Sequence, residues 1–335
     1  SGADSRVIHL LQKELELSDN DIYELPMGIE YYQLSPISEI RKPSWEFSSW
    51  VPVTSPAFYD PTQSIFDVIR KKDVLVHHPF ESFSSSVERF IREASEDPKV
   101  VAIKMTIYRT GEDSPFIPYL IRAAAAGKQV ACLVELQARF DEERNIIAAQ
   151  ALEKAGVHVV YGIKGLKTHS KIALVVRQEG LAMRSYAHIG TGNYNVKTAQ
   201  QYTDLGYFTA KPEFTEDIVH LFHHLTGKSL HWNFGKLLVA PIDMRSSILR
   251  MIERECEHVR QGKTGHIILK LNNLEDPEII EALYKASQVG VQIDLMVRSI
   301  CCLRPQVKGL SENIRVISIL GRFLEHSRIF YFQNV

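Results

Sequence analysis

The sequence predicts an α/β fold of two related lobes with mixed, largely parallel sheets, preceded by the end of another domain. Three observations carry that expectation. From Asp73 onward, short apolar runs alternate with amphipathic stretches, the pattern of strands crossed over by helices. The same order of elements then recurs downstream. Residues 1–55 share none of this, being acidic and interrupted by proline. The length agrees: 335 residues exceed the ~250–300 that one hydrophobic core usually serves.

Within residues 1–55, Arg6 to Leu17 has helical periodicity, and Ser18-Asp19 supplies a stop or a new cap. Leu25 to Pro56 holds five prolines and reads as the tail of a preceding domain followed by a linker. In the first lobe, residues 56–236, Val74 to His78 is a short strand and Ser82 to Ala94 an amphipathic helix. Val100 to Tyr108 is a strongly apolar strand, and a helix from Pro118 stops at Gly127. Strand Val130 to Leu136, helix Asn145 to Ala155, strand His158 to Tyr161 and strand Lys171 to Arg177 complete it.

The second lobe, residues 237–335, repeats this order. His266 to Leu271 is similar to Val101 to Met105, with Lys270 set opposite Lys104. The helix Pro277 to Val289 ends at Gly290 as the earlier one ends at Gly127, and strand Val291 to Arg298 follows. Leu324 to Ile329 (LEHSRI) parallels Lys167 to Ile172 (KTHSKI), placing His169 and His326 157 residues apart. Phe214 to Arg260 joins the lobes. There His220 and His224 sit one helical turn apart, but no HExxH glutamate accompanies them, so packed or solvated side chains are expected.

Composition excludes several classes. Thirty-nine basic against 40 acidic residues give a charge of −1, with 45% apolar residues, which argues against disorder and against coating nucleic acid. No apolar run approaches the ~20 residues of a membrane span. The average hides a contrast, however. Residues 1–60 carry ten acids and four bases, while residues 161–200 carry six bases and one acid. A local basic pocket for a polyanion is compatible with that distribution. The four cysteines include no CxxC pair and are expected to be reduced thiols.

The chemistry concentrates in His169-Ser170-Lys171 followed by Gly190-Thr191-Gly192-Asn193. On a strand, alternate positions put His169 and Lys171 on one face. A neutral imidazole can attack phosphorus, a nearby lysine can stabilise phosphoryl oxygens, and a glycine-rich turn can present N–H groups to the same anion. Asn193 adds a side-chain donor.

This combination resembles the phospholipase D superfamily, whose two lobes each give an HxK element followed by a GxxN turn. The family aspartate seven residues after the histidine is absent: Val176 and Gln333 stand there, and Arg328 replaces the second lysine. Longer segments narrow the resemblance. His77 to Phe83 (HHPFESF), Ala102 to Arg109 (AIKMTIYR), KTHSK, Gly190 to Asn195 (GTGNYN) and Arg298 to Pro305 (RSICCLRP) together resemble bacterial polyphosphate kinase, the family that makes long-chain polyphosphate from ATP. The likeness runs from about Pro56 to the C-terminus, so residues 1–55 would end a head-like domain. The chain is then expected to be a fragment, without the family's N-terminal domain and the end of its last lobe.

The resemblance implies roles residue by residue. His169 matches the histidine that becomes phosphorylated, with Lys171 and Asn193 beside it. His326 matches the second catalytic histidine, a general acid or leaving-group stabiliser. Arg109 and Arg139 match the phosphate and magnesium site, and since a guanidinium cannot ligate a cation, both are expected on phosphate oxygens that share the Mg2+. Asp141, Glu142 and Glu143 could hold the metal, although a solvated loop is the plainer account. Tyr202 and Arg298 match nucleotide-binding positions; Tyr202 could face adenine or phosphate. Lys104, Lys270 and Arg304 are expected as further phosphate contacts. The implied partners are ATP, ADP and polyphosphate rather than nucleic acid, with a homo-oligomeric parent for which the family leaves peripheral membrane association open; the want of a signal segment gives the cytoplasm as the expected location. The competing expectations are a phospholipase D-like phosphodiesterase or nuclease, and a polyphosphate-binding fragment without activity.

Overall fold

The computed structural model describes residues 4–22, 36–37, 40, 42–108, 114–135, 142–162, 165–227 and 233–335. It forms two compact units, residues 1–50 and 51–335. In the first, helix α1 (Ser5–Leu15) begins where the Asp4 carboxylate accepts the Arg6 N–H and ends at Glu16, whose left-handed backbone returns an N–H to Gln12. None of its residues is buried.

The second unit opens with α2 (Ile65–Lys71), capped by Ser64. There follow β1 (Val74–His78), a π-helical turn Ser84–Glu88 running into α3 (Arg89–Glu96), β2 (Val100–Ile107), α4 (Phe116–Ala125), β3 (Gln129–Val134) and α5 (Glu142–Lys154). Next come β4 (His158–Val160), β5 (Ile172–Glu179), β6 (Ala182–Gly190), α6 (Val196–Ala199), β7 (Tyr202–Thr209) and α7 (Pro212–Leu225). The strands form one sheet in the order β1-β7-β6-β5-β2-β3-β4. Its faces follow the period of two. Cys132, Val175 and Tyr186 point toward Phe66, Phe90 and Leu120 of α2, α3 and α4, whereas Leu133, Leu174 and Ala187 point toward Ile218 and Phe222 of α7. A sheet covered on both faces explains the continuous apolar runs of β2 and β5.

The remaining elements are α8 (Met244–Arg260), β8 (His266–Leu271), α9 (Pro277–Val289), β9 (Gln292–Val297), β10 (Ile314–Ile317), β11 (Leu324–Glu325) and β12 (Ile329–Phe332). β10-β9-β8-β12 make a second sheet, packed on α8 and α9 through Ile252, Leu283 and Leu295. Helix α9 has the boundaries its sequence signals indicate. Asp276 accepts the N–H groups of Glu278 and Ile279, and Gly290, at φ 109°, closes it.

Both sheets are mixed, as expected, but the parallel share differs. The second pairs β8, β9 and β10 in parallel and only β12 antiparallel. In the first, β2-β3-β4 are parallel, while β1-β7, β7-β6, β6-β5 and β5-β2 are antiparallel. The cause is the β5–β6 hairpin at Gly180 (φ 64°) and β7, two strands that the alternation of helix and strand does not reveal.

The internal repeat is real, with a register two residues from the one expected. Met105 pairs with Ala173, which sets Thr106 beside Ile172, and Thr106 Oγ1 donates to the Ser170 carbonyl at 2.8 Å. In the second lobe Ile329 pairs with Lys270, whose Nζ reaches the Ser327 carbonyl at 3.4 Å. Thr106, not Lys104, is therefore the counterpart of Lys270. A shift of two keeps every side chain on its face, so apolar similarity alone could not detect it.

Candidate active site

The Lys167–Lys171 segment is held at three points. The buried Glu135 carboxylate, just beyond β3, accepts the Thr168 N–H at 2.7 Å. Thr106 takes the Ile172 N–H at 3.1 Å while donating to Ser170. Gly190 donates its N–H to the Lys171 carbonyl at 2.8 Å. The ladder of β5 begins only at Ile172, so His169 and Lys171 do not alternate along a strand as expected. Instead His169 opens toward solvent, its ring edge-on to Tyr108 at 5.3 Å, whereas Lys171 is 4% exposed and turns its ammonium back to the His169 carbonyl. A cleft of ≈ 390 Å³ opens beside His169, lined mostly by apolar side chains including Leu221, Leu238 and Met244.

His326 reaches this region by an unexpected route. β11 adds in parallel to β7 of the first sheet, pairing Leu324 with Tyr202 and Glu325 with Thr203. Thr203 Oγ1 donates to the Glu325 carboxylate at 2.9 Å, and the Ser327 N–H to the Thr203 carbonyl at 2.9 Å. The next residue of β7, Asp204, is 3% exposed and accepts from His326 Nδ1 at 2.8 Å. Thr191 Oγ1 donates to the same carboxylate at 2.6 Å while accepting the Leu205 N–H at 2.9 Å. A Cβ on Gly192 would lie 2.6 Å from Asp204 Oδ2, so the second glycine of the turn makes room for this carboxylate. Asp204 was not among the expected site residues.

Cations surround both histidines. Arg328 donates to the His326 carbonyl, repeating what Lys171 does at His169. Arg298, just past β9, donates to the Glu325 carbonyl at 3.3 Å. Lys270 pairs with Glu325 at 2.9 Å. Partial burial, then the charges of Lys171 and Arg328, push the His169 pKa down to about 3. More than a third of His169 remains open to solvent. Burial also lowers the pKa of His326, opposed by Asp204 and reinforced by Arg328 and Arg298. Both rings are thus neutral near pH 7, and each can offer a nitrogen lone pair.

The structure brings together His169, Lys171, His326, Arg298 and Tyr202, whose ring lies 5.2 Å from that of His326. Asn193 is buried in the turn above Asp204. Lys270 joins through Glu325. Lys104 lies farther along β2, opposite Leu174, and Arg304 is an exposed loop residue whose N–H bonds the Tyr284 hydroxyl at 2.7 Å. Arg109, Arg139 and Asp141 fall outside the described residues, as do the side chains of Glu142 and Arg144. Among the described residues no cluster of three His, Cys, Asp or Glu could hold a metal ion. The described cations beside the two histidines, Lys171, Arg298 and Arg328, are a donor set that does not fit direct coordination of Mg2+. No described helix is long and apolar enough to cross a membrane.

The chain is similar to proteins of one family. Residues 64–231 match the family described as "Polyphosphate kinase C-terminal domain 1", and residues 237–335 match "Polyphosphate kinase C-terminal domain 2". The chain is 53% identical over 339 residues to a polyphosphate kinase of Synechocystis sp., covering 97% of the chain and 47% of that protein. It is 60% identical over 272 residues to one of Prochlorococcus marinus, covering 81% and 38%. The crystal structure of the Porphyromonas gingivalis polyphosphate kinase superposes with a TM-score of 0.82 at 35% identity, over 99% of this chain and 50% of that one. The chain spans about half the length of the curated relatives it matches. Two family domains in tandem, carrying the two histidine elements, show that the chain belongs to the polyphosphate kinase family.

Proposed function

We propose that this chain carries the phosphoryl-transfer centre of a polyphosphate kinase, moving the γ-phosphate of ATP to inorganic polyphosphate through a phosphohistidine. The observation that carries the reading is the pair of neutral histidines, His169 among cations and His326 braced by Asp204. A bare imidazole nitrogen of His169 attacks the γ-phosphorus; an N–P bond forms as the bond to the β-γ bridging oxygen breaks, and ADP leaves. The terminal phosphate oxygen of a polyphosphate then attacks phosphorus, and the N–P bond breaks. Lys171, Arg298 and Arg328 offset the charge spread over the equatorial oxygens in a loose transition state.

His326, with Nδ1 committed to Asp204, turns Nε2 toward the leaving oxygen. An arriving polyanion raises the proton affinity of this ring, which then serves as acid or hydrogen-bond donor. Phosphoanhydrides on both sides leave the reaction reversible. Magnesium would enter bound to the nucleotide phosphates rather than on the described side chains. A hydrolytic phosphodiesterase is the less favoured reading, because the carboxylate of this site braces His326 and none among the described contacts braces His169.

The test is labelling with γ-32P ATP. Acid-labile, base-stable label is expected on the chain, and none on His169→Ala. Label retained in that variant would sink the assignment.

A further inference from the structure

Beneath the Gly190–Asn193 turn, three buried side-chain atoms meet no protein partner: His78 Nε2, His188 Nε2 and Asn193 Oδ1. The side chains come from β1, β6 and the turn, are at most 8% exposed, and line one cavity of ≈ 10 Å³ walled also by Asp204 and Phe83. Buried polar atoms rarely lack partners, and three around one cavity call for a common one.

The hydrogen bonds on the far side of each ring fix what these atoms are. His78 Nδ1 lies 2.9 Å from the Glu81 carbonyl oxygen, which can only accept, so Nδ1 carries the proton. Burial lowers the His78 pKa, the ring is neutral, and Nε2 is a bare acceptor. His188 Nδ1 lies 2.9 Å from the Tyr194 hydroxyl. That hydroxyl is buried and meets no other polar atom among the described residues, so it donates to Nδ1. Burial pushes the His188 pKa down to about 3, and the one proton of its neutral ring therefore sits on Nε2. Asn193 Oδ1 accepts. The three unpartnered atoms are thus one donor and two acceptors.

We propose that this cavity holds a single internal water, which accepts from His188 Nε2–H, donates to His78 Nε2 and Asn193 Oδ1, and so holds the Asn193 amide with its oxygen inward and its nitrogen toward the phosphate cleft. Three bonds are what a buried water usually makes, and the volume is about what one water needs. The glycines around it are consistent with a built site. A Cβ on Gly190 would lie 2.9 Å from His188 Cε1, and one on Gly206 2.8 Å from His188 Nε2. Either would displace the ring that lines the cavity. His78 and His188 are then positioning residues, acting on phosphate through water and Asn193. The water site stands on this bonding pattern alone; the use of the oriented amide rests on the transfer reaction proposed above.

Three measurements test it. A high-resolution crystal structure of the chain should show one water bonded to the three atoms. Long-range 1H–15N correlation on histidine-labelled chain should find His78 as the Nδ1–H tautomer and His188 as the Nε2–H tautomer. Calorimetric titration with tripolyphosphate should find His78→Phe weakened about tenfold, the loss expected when a buried partner is removed, and no additional loss when it is combined with Asn193→Ala. An empty cavity, either opposite tautomer, or fully additive losses would overturn the proposal. If His78→Phe does not fold, the first two measurements on the unaltered chain decide. If that chain shows the water and both tautomers yet does not bind tripolyphosphate, the transfer reading falls and the water site stands.

Discussion

Replacing Asp204 with Asn separates the charge of this carboxylate from its shape. Asp204 is buried, bonds His326 Nδ1 at 2.8 Å and Thr191 Oγ1 at 2.6 Å, and packs against Gly192. Asn fits the same space but is neutral and must turn either its oxygen or its NH2 group to the ring. A buried hydrogen bond to a charged group contributes about 1.5–3 kcal/mol, and leaving a donor unmatched costs a similar amount. If the NH2 group faces His326, the imidazole must move its proton to Nε2, and in either orientation the ring loses the charge that stabilises its doubly protonated form, the acid the leaving oxygen needs. Taking about 3 kcal/mol as the loss felt in the transition state, phosphorylation of His169 should slow roughly 100-fold. Rapid-quench labelling with γ-32P ATP measures that rate, and 15N correlation of the His326 ring reports its tautomer. A rate within threefold of the unaltered chain, with the His326 Nδ1–H tautomer retained, would refute the idea that Asp204 works by orienting this histidine.

Other outcomes follow from the same geometry. Gly192→Ala puts a Cβ within 2.6–2.9 Å of three Asp204 atoms, so it should lower stability by about 1–3 kcal/mol in urea melts and slow labelling as well. Glu135→Gln removes the charge from the carboxylate that takes the Thr168 N–H; labelling should slow about tenfold, with the nucleotide KM little changed. For pH, His169 and His188 are depressed to about 3 in the folded chain against 6.5 unfolded, so the unfolded state binds more protons across that window. Stability should therefore fall as pH drops from 6.5 toward 3, and His188→Phe should flatten the slope of the urea midpoint against pH. A midpoint that rises on acidification would contradict both assignments.

Much of the site lies in local motifs, which is why His169, the Gly190–Asn193 turn and His326 could be found in the sequence. Each element is a few residues long and constrained by its own turn or strand start. Asp204 escaped because its partner lies 122 residues away and on the other lobe's segment. The carboxylate comes not from seven residues after either histidine but from β7, where an aspartate amid the apolar pattern of Thr203 to Phe208 is the available signal. Helix ends were legible wherever a capping side chain or glycine marks them, as at Asp276 and Gly290. Strands β6 and β7 were not, since their register is set by pairing with distant partners and not by local pattern. Lys270 matches Thr106 rather than Lys104 for a related reason: a slip of two residues leaves the apolar faces intact.

The docking of β11 on β7 has a mechanical consequence. Although His326 is encoded with the second lobe, its backbone and ring are fastened to the first through Thr203 and Asp204. Only from Ile329 does the chain enter the second sheet. Both histidine segments are therefore fastened to strands of the first sheet, His169's through Thr106 and Gly190 and His326's through Thr203 and Asp204. Arg298 and Lys270 reach from the second sheet to Glu325 of β11, at 3.3 and 2.9 Å, so the second lobe's cations are tied to the same segment that carries His326.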